Sequence, residues 1–180
     1  MVELVGSTVV LREFRMSDVD ATMAIVGDER VTTTLSFDSL TREQQSERIA
    51  ATIQRAGETP RTEYYLAATL KSDGRLIGFG RLGLTGVRAA KLGGALAADH
   101  WGAGYALDGA RTLLDFAFGD LDLHRVTAAI GPDNHASIAA VTRLGFVYEG
   151  TLRDHVYTNQ AWRDSRLYSM LAQDWTPDAH

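Results

Sequence analysis

The sequence predicts an α/β (α+β) fold, a single mixed, mostly antiparallel sheet of about seven strands flanked by helices. Three observations carry that expectation. Runs of strand-like and helix-like apolar patterning succeed one another along the chain, an Asp73-Gly74 turn lies inside a three-strand meander, and the strongest amphipathic helix follows that meander directly. At 180 residues, 45% apolar and 23% charged, the chain is long enough to bury one sizeable core, and a single domain over 1–180 is expected.

The elements follow in order. Thr8 to Phe14 is a β-branched, apolar-rich run that reads as a strand. Ser17 and Asp20 have the spacing of a helix-opening cap, and a short helix runs to about Val26. Gly27-Asp28-Glu29-Arg30 interrupts the pattern, and Thr32 to Phe37 has neither period, so it reads as a loop. Thr41 with Gln44 is a second cap signature, ahead of a thin apolar stripe of Ile49, Ala50 and Ile53 in a helix that should end near Gly57. Tyr64 to Leu70 and Leu76 to Leu84 are strand-like and joined by Lys71 to Arg75, with Gly74 available for positive φ; Ala89 to Ala97 extends the meander. From Gly104 the period changes, and Ala106, Ala110, Leu113, Leu114, Ala117 and Phe118 fall on one helical stripe. Arg125 to Ile130 is a short strand, and Ile138, Val141 and Leu144 mark a helix stopped by Gly145. Phe146 to Tyr157 and Asp164 to Ala172 close as a hairpin.

The formal net charge of −5, from 23 acidic against 18 basic residues, argues against nucleic acid as a partner and mildly favours cationic ones. Without cysteine there is no disulfide, thiolate metal site or Cys nucleophile, and a cytoplasmic location is expected. The start carries no basic leader and no long apolar stretch, so no membrane association is expected either. The five histidines, His100, His124, His135, His155 and His180, show no ligand spacing, and no metal is expected.

Chemistry points first to the turn Trp101-Gly102-Ala103-Gly104-Tyr105-Ala106. Two close glycines between a strand and a strong helix let backbone N–H groups approach an anion unobstructed, and the helix start adds partial positive charge. Each nearby anionic charge gains only about 0.3–1 kcal/mol from a helix terminus, so several convergent N–H groups are needed to hold a pyrophosphate. The plain alternative is a tight connection and nothing more. A dinucleotide fingerprint does not fit, since its third glycine position holds Leu107, and no Gly-Lys-Ser or Gly-Lys-Thr of a P-loop occurs.

The run Trp101 to Ala106, then Asn134-His135-Ala136-Ser137, Leu144-Gly145-Phe146 and Glu149-Gly150-Thr151-Leu152-Arg153, resembles the GNAT acetyltransferases, specifically their RimJ/RimL-like branch. Trp162-Arg163-Asp164, Leu167 to Leu171 and Trp175 resemble that branch's closing strands, and Leu11-Arg12 its opening strand, so the resemblance covers nearly the whole chain. It implies a GNAT-like acyl-CoA N-acyltransferase fold in which the strand ending near Leu96 splays from Arg125 to Ile130. Acetyl-CoA, the implied cosubstrate, would lie in that gap with its carbonyl polarised by a backbone N–H near Leu96, Ala97 or Ala98 and its pyrophosphate on residues 101–106. An amine would attack directly, with no covalent enzyme intermediate.

The same resemblance distributes the side-chain roles. In many members a tyrosine seven residues after the motif asparagine protonates the thiolate; here that position is Val141, and Ser137 is the candidate acid instead. Asn134 and Ser137 are also implied in coenzyme contact, although both are ordinary residues at a helix start. Arg143 stands where a basic side chain reaches a coenzyme phosphate, or is a solvated helix-face charge. The family's base position, often glutamate, holds Lys91, which moves attention to Asp108, a candidate base that could equally form a surface pair with Arg111. The implied acceptor pocket, between the early helices and the last hairpin, points to Thr33, Phe37, Asp154 and Tyr157.

The expected partner is therefore an amine acceptor, either a peptide N-terminus or a cationic small molecule such as an antibiotic, and a homodimer is allowed for. The missing tyrosine and Lys91 give some support to a different class, a CoA-binding sensor without turnover. Lacking a strong base, an enzyme of this kind should prefer amines of lowered pKa over an unperturbed lysine side chain.

Overall fold

In the computed structural model, which describes residues 1–177, one eight-stranded sheet forms in the order β1-β2-β3-β4-β5-β6-β8-β7. The strands are β1 (Glu3–Val5), β2 (Val9–Glu13), β3 (Glu63–Leu70), β4 (Leu76–Leu84), β5 (Ala89–Leu96), β6 (Arg125–Ile130), β7 (Val147–Thr158) and β8 (Ala161–Leu171). The helices are α1 (Val19–Val26), α2 (Glu29–Thr32), α3 (Arg42–Ala56), α4 (Tyr105–Asp115) and α5 (His135–Arg143). The eighth strand is β1, too short at three residues to carry a periodic signal, and it pairs with β2 from Glu3↔Arg12 to Val5↔Val10.

Local chemistry explains most boundaries. Thr41 and Gln44 close a reciprocal capping box, with the Gln44 N–H donating to the Thr41 hydroxyl at 3.3 Å and the Thr41 N–H to the Gln44 side chain at 2.8 Å, and α3 ends against Gly57. Ser17 does not open α1. That turn is fixed by the buried Asp18, whose carboxylate accepts the Arg15 N–H at 2.8 Å and both Arg12 guanidinium nitrogens at 2.9 Å. Within the region read as a break and a loop, α2 forms as one turn, its first N–H groups met by Asp28, which accepts from the Arg30 N–H at 2.9 Å. Asn159 and Gln160, at φ 51° and 59°, make the two-residue turn between β7 and β8.

The sheet has an apolar layer on each face, as the period-2 alternation of its strands requires. Leu11, Leu66, Leu82, Ala90 and Val126 pack with Leu113 and Leu114 of α4 and Val141 of α5. Tyr65, Ala67 and Phe79 face the other way, against Val19 and Ile25 of α1 and Ile49 of α3.

All neighbouring strands run antiparallel except β5 and β6, and that parallel seam is short. It pairs Ala89↔Arg125, Ala90↔Val126 and Lys91↔Thr127, and nothing beyond. From Leu92 onward β5 continues only with β4, while β6 continues to Ile130 only with β8. The splay implied by the family resemblance is thus present, with Lys91 at its closed end and Leu96 towards its mouth.

Candidate active site

The gap between β5 and β6 is lined by backbone, and the register decides which groups face it. In an antiparallel ladder alternate residues exchange hydrogen bonds with the partner and the intervening ones point away. The Thr85 N–H donates to the Ala89 carbonyl at 2.7 Å, and the Ala97 N–H to the Ile77 carbonyl at 2.8 Å. Between these two bonds the pairing runs without a bulge, so odd-numbered β5 residues bond to β4. The N–H and carbonyl groups of Leu92, Gly94 and Leu96 therefore turn towards the gap. Of the three residues considered as carbonyl polariser, Ala97 has its N–H committed to the sheet, while Leu96 turns its N–H towards the gap and Ala98 opens the turn that follows. The Leu96 carbonyl accepts from the half-exposed Trp101 indole N–H at 3.0 Å.

Both strands reach their C-terminal ends at the mouth of the gap, and each is followed by a helix whose N-terminus returns to it, the arrangement in which open α/β sheets bind ligands. On the β5 side Gly102 and Gly104 have φ of 78° and 85°, a conformation that side-chain-bearing residues adopt at a cost, and a Cβ at either would meet nothing within 4 Å. Gly104 caps α4 without any side-chain acceptor, and the first intrahelical donor is the Asp108 N–H, to the Gly104 carbonyl at 3.1 Å. The N–H groups of Tyr105, Ala106 and Leu107 are the ones a helix leaves unbonded at its start. Glycine turn, open space and unbonded donors fit the pyrophosphate that residues 101–106 are expected to hold.

On the β6 side Asn134 caps α5, its side-chain oxygen accepting the Ser137 N–H at 3.1 Å. The Ser137 hydroxyl is half-buried and has no hydrogen-bond partner among the described residues. Arg143 is exposed, in the last turn of α5, about 12 Å along the helix axis from its start.

Asp108 is not placed as a base. Its carboxylate accepts from the N–H groups of Ser7, Thr8 and Val9 at 2.9, 2.7 and 2.9 Å and from the Thr8 hydroxyl at 2.7 Å, clamping the β1–β2 turn onto α4. Burial pushes its pKa up, but the hydrogen bonds from Thr8, Ser7 and Val9 outweigh it and hold the carboxylate below its ordinary range. Gly6 makes the approach feasible, since a Cβ there would stand 2.9 Å from Asp108 Oδ2.

The early helices and the last hairpin do meet, because Asp38 accepts the Asn159 N–H at 2.7 Å. The four acceptor-site residues have these surroundings. Thr33 is exposed, Phe37 packs on the second core under the Arg48 guanidinium at 4.3 Å, Tyr157 is exposed and lies edge-on to Trp162, and the Asp154 N–H donates to Asp164 at 2.9 Å. His155 shares a 2.9 Å hydrogen bond with Ser165, and His180 lies outside the described residues.

An open cleft of about 580 Å³ lies at the closed end of the gap, lined by Arg55, Glu63, Arg81 and Lys91 among others. Glu63 accepts from Arg55 Nε at 2.6 Å and Arg81 Nε at 2.7 Å. Burial raises its pKa, but the two guanidinium groups prevail and keep it ionised below the ordinary range. Glu149 is held by Arg125 and by the Ser169 hydroxyl at 2.7 Å, and its pKa is pushed down to about 2. Arg55, Glu63 and Arg81 went unnoticed in the sequence; Arg81, a lone charge inside the apolar run Leu76 to Leu84, was the available signal.

A model of the acetyltransferase (GNAT) domain matches residues 8–147. Over 179 residues the chain is 28% identical to the probable N-acetyltransferase YjcK of Bacillus subtilis (strain 168), covering 95% of this chain and 98% of that one. A 55-residue stretch, 31% of this chain and 28% of the relative, is 38% identical to the [ribosomal protein uS5]-alanine N-acetyltransferase of Escherichia coli (strain K12). Among solved structures, Mycobacterium smegmatis RimJ in complex with CoA-disulfide superposes with a TM-score of 0.82 at 24% identity, covering 96% of this chain and 87% of that one, a likeness of fold.

Proposed function

This chain belongs to the acetyltransferase (GNAT) family, and from that premise we propose that it moves the acetyl group of acetyl-CoA directly onto a primary amine, foremost the α-amine of a polypeptide N-terminus. The observation that carries the reading is the gap beyond Lys91, with unpaired β5 backbone groups along it and two helix N-termini at its mouth. Acetyl-CoA supplies the activated thioester. The Leu96 N–H is the donor assigned to the developing carbonyl charge, the start of α4 holds the pyrophosphate, and the hydroxyl of Ser137 gives a proton to the departing sulfur. The amine forms the new C–N bond as the C–S bond breaks, and the proton that nitrogen loses returns through water to the Ser137 oxygen, so that the hydroxyl is restored as the thiol leaves. No carboxylate is assigned as base, because the oxygens of Glu63, Glu149 and Asp108 are committed to donors that lower their affinity for a proton.

A primary amine on a small molecule, an antibiotic included, is the second acceptor considered, and the [ribosomal protein uS5]-alanine N-acetyltransferase is the relative that favours a protein end. The test is kcat/KM against pH for two acceptors whose amine pKa values differ by about 2 units, for example an α-amine near 8 and a lysine side chain near 10.4. The expected inflection follows the amine of each acceptor, with the α-amine preferred at neutral pH. An inflection that stays fixed while the acceptor changes would reveal an enzyme base and overturn this mechanism. CoA binding without thiol release from any amine would return the molecule to the sensor class.

A further inference from the structure

We propose that the cleft at the closed end of the gap is a carboxylate subsite, so that the acceptor carries an acidic group close to its amine; this rests on the acetyl-transfer reading above. Across the sheet Glu63, Gly83 and Lys91 form one row, and Tyr65, Arg81 and Gly93 the next, all on the face covered further along by α1 and α3. Gly83 and Gly93 leave a floor without side chains, and a Cβ at Gly93 would meet nothing within 4 Å. Arg81 crosses that floor, its Nη2 lying 3.3 Å from where a Gly83 Cβ would be.

The hydrogen-bond arrangement is that of a clamp lacking its ligand. Glu63 engages Arg81 only through Nε, which fixes the guanidinium plane and leaves both terminal nitrogens without a partner among the described residues. The Lys91 ammonium has no hydrogen bond or ion pair among the described residues either. Three cations thus surround one carboxylate that is already neutralised in part, and a pre-oriented guanidinium edge beside a free ammonium matches a second carboxylate bidentately.

Position sets the length of the acceptor. Lys91 is the last β5 residue paired with β6, and Gly94 and Leu96 lie roughly 10 and 17 Å further along the strand. Arg81 pairs with Gly93, roughly 10 Å along the strand from Leu96, so an amine reacting at Leu96 reaches the Arg81 edge of the clamp with a carboxylate two residues away. That group is an acidic side chain near a peptide N-terminus or the free C-terminal carboxylate of a short peptide. The cleft thus opposes the mild preference for cationic acceptors drawn from the net charge of −5.

The test uses the whole chain with CoA present and four peptides. Three are C-terminally amidated pentapeptides that begin with serine and differ only at positions two and three, which are Glu-Glu, Gln-Gln or Lys-Lys; the fourth is Ser-Gln-Gln with a free C-terminus. Equilibrium binding is read first and kcat/KM with acetyl-CoA second. The Glu peptide, or the free-carboxylate tripeptide if that is the source, should bind and react about tenfold better than the amidated Gln peptide, with the advantage shrinking as salt rises. Lys91→Glu should reverse the order in favour of the Lys peptide, and Arg81→Gln should bring the ratio towards one. Equal binding of the Glu and Gln amides, with no gain for the free carboxylate, overturns the subsite even while acetyl transfer continues. Selective binding of the carboxylate peptides without turnover on any of them upholds the subsite and defeats the transfer reading.

Discussion

The two ends of the β5–β6 gap are built from different materials. At the mouth the groups that meet a ligand belong to the backbone, namely the Leu96 N–H, the positive-φ turn at Gly102 and Gly104, and the first N–H groups of α4. At the closed end they are side chains drawn from α3, β3, β4 and β5. A backbone site serves whatever ligand presents the right anion and extended chain, whereas a side-chain site can differ between relatives that share the fold. On the reading proposed above, the mouth would hold the common cosubstrate and the closed end would select the acceptor.

Substitutions that separate the two ends test that division. The largest effect is expected from Ser137→Ala, which should lower turnover by about 10²-fold while leaving acetyl-CoA binding nearly unchanged, as for a lost general acid. Equilibrium binding beside steady-state thiol release separates this from a purely cofactor-holding role, which would weaken binding instead. Gly104→Val places a β-branched residue at φ 85° and shifts the N–H groups of the turn, so acetyl-CoA affinity should fall by at least about tenfold in a variant that still unfolds cooperatively. Undiminished affinity would mean that the mouth does not hold the pyrophosphate.

Asp108→Asn should touch neither end. Turnover is expected to fall less than about tenfold, while stability drops by about 1–3 kcal/mol in denaturant titration as the amide replaces an acceptor facing N–H donors. Because the folded pKa of Asp108 lies below its ordinary value, its contribution is present above about pH 4 and is lost as pH falls through the folded pKa, so wild type and variant should converge in acid. A large kinetic loss at unchanged stability would restore Asp108 as a base.

The same division governs what was legible in the sequence. The capping box at Thr41 and Gln44, the stop at Gly57 and the glycine turn are local, and a few adjacent residues carry each of them. β1 and α2 were not legible because three and four residues are too few to display a period. The splay came from family resemblance, since nothing in Leu92-Gly93-Gly94-Ala95-Leu96 announces that a neighbour departs. Arg55, Glu63 and Arg81 converge only through strand register, and Lys91 was noticed only for not being glutamate. Asp108 was weighed as a base or as a partner of Arg111, while its actual partners lie about a hundred residues away in sequence.

The three-position seam between β5 and β6 has a mechanical consequence. It divides the hydrogen-bonded sheet into two wings, β1 to β5 and β6 to β8, which share a short hinge and the apolar layer beneath α4 and α5. On the reading proposed above, an extended cosubstrate along the open edge of β5 would act as a surrogate strand, completing a ladder that the polypeptide leaves open. Occupancy should then stiffen the hinge and raise the unfolding temperature with cosubstrate concentration, and amide exchange should slow first in the second half of β5.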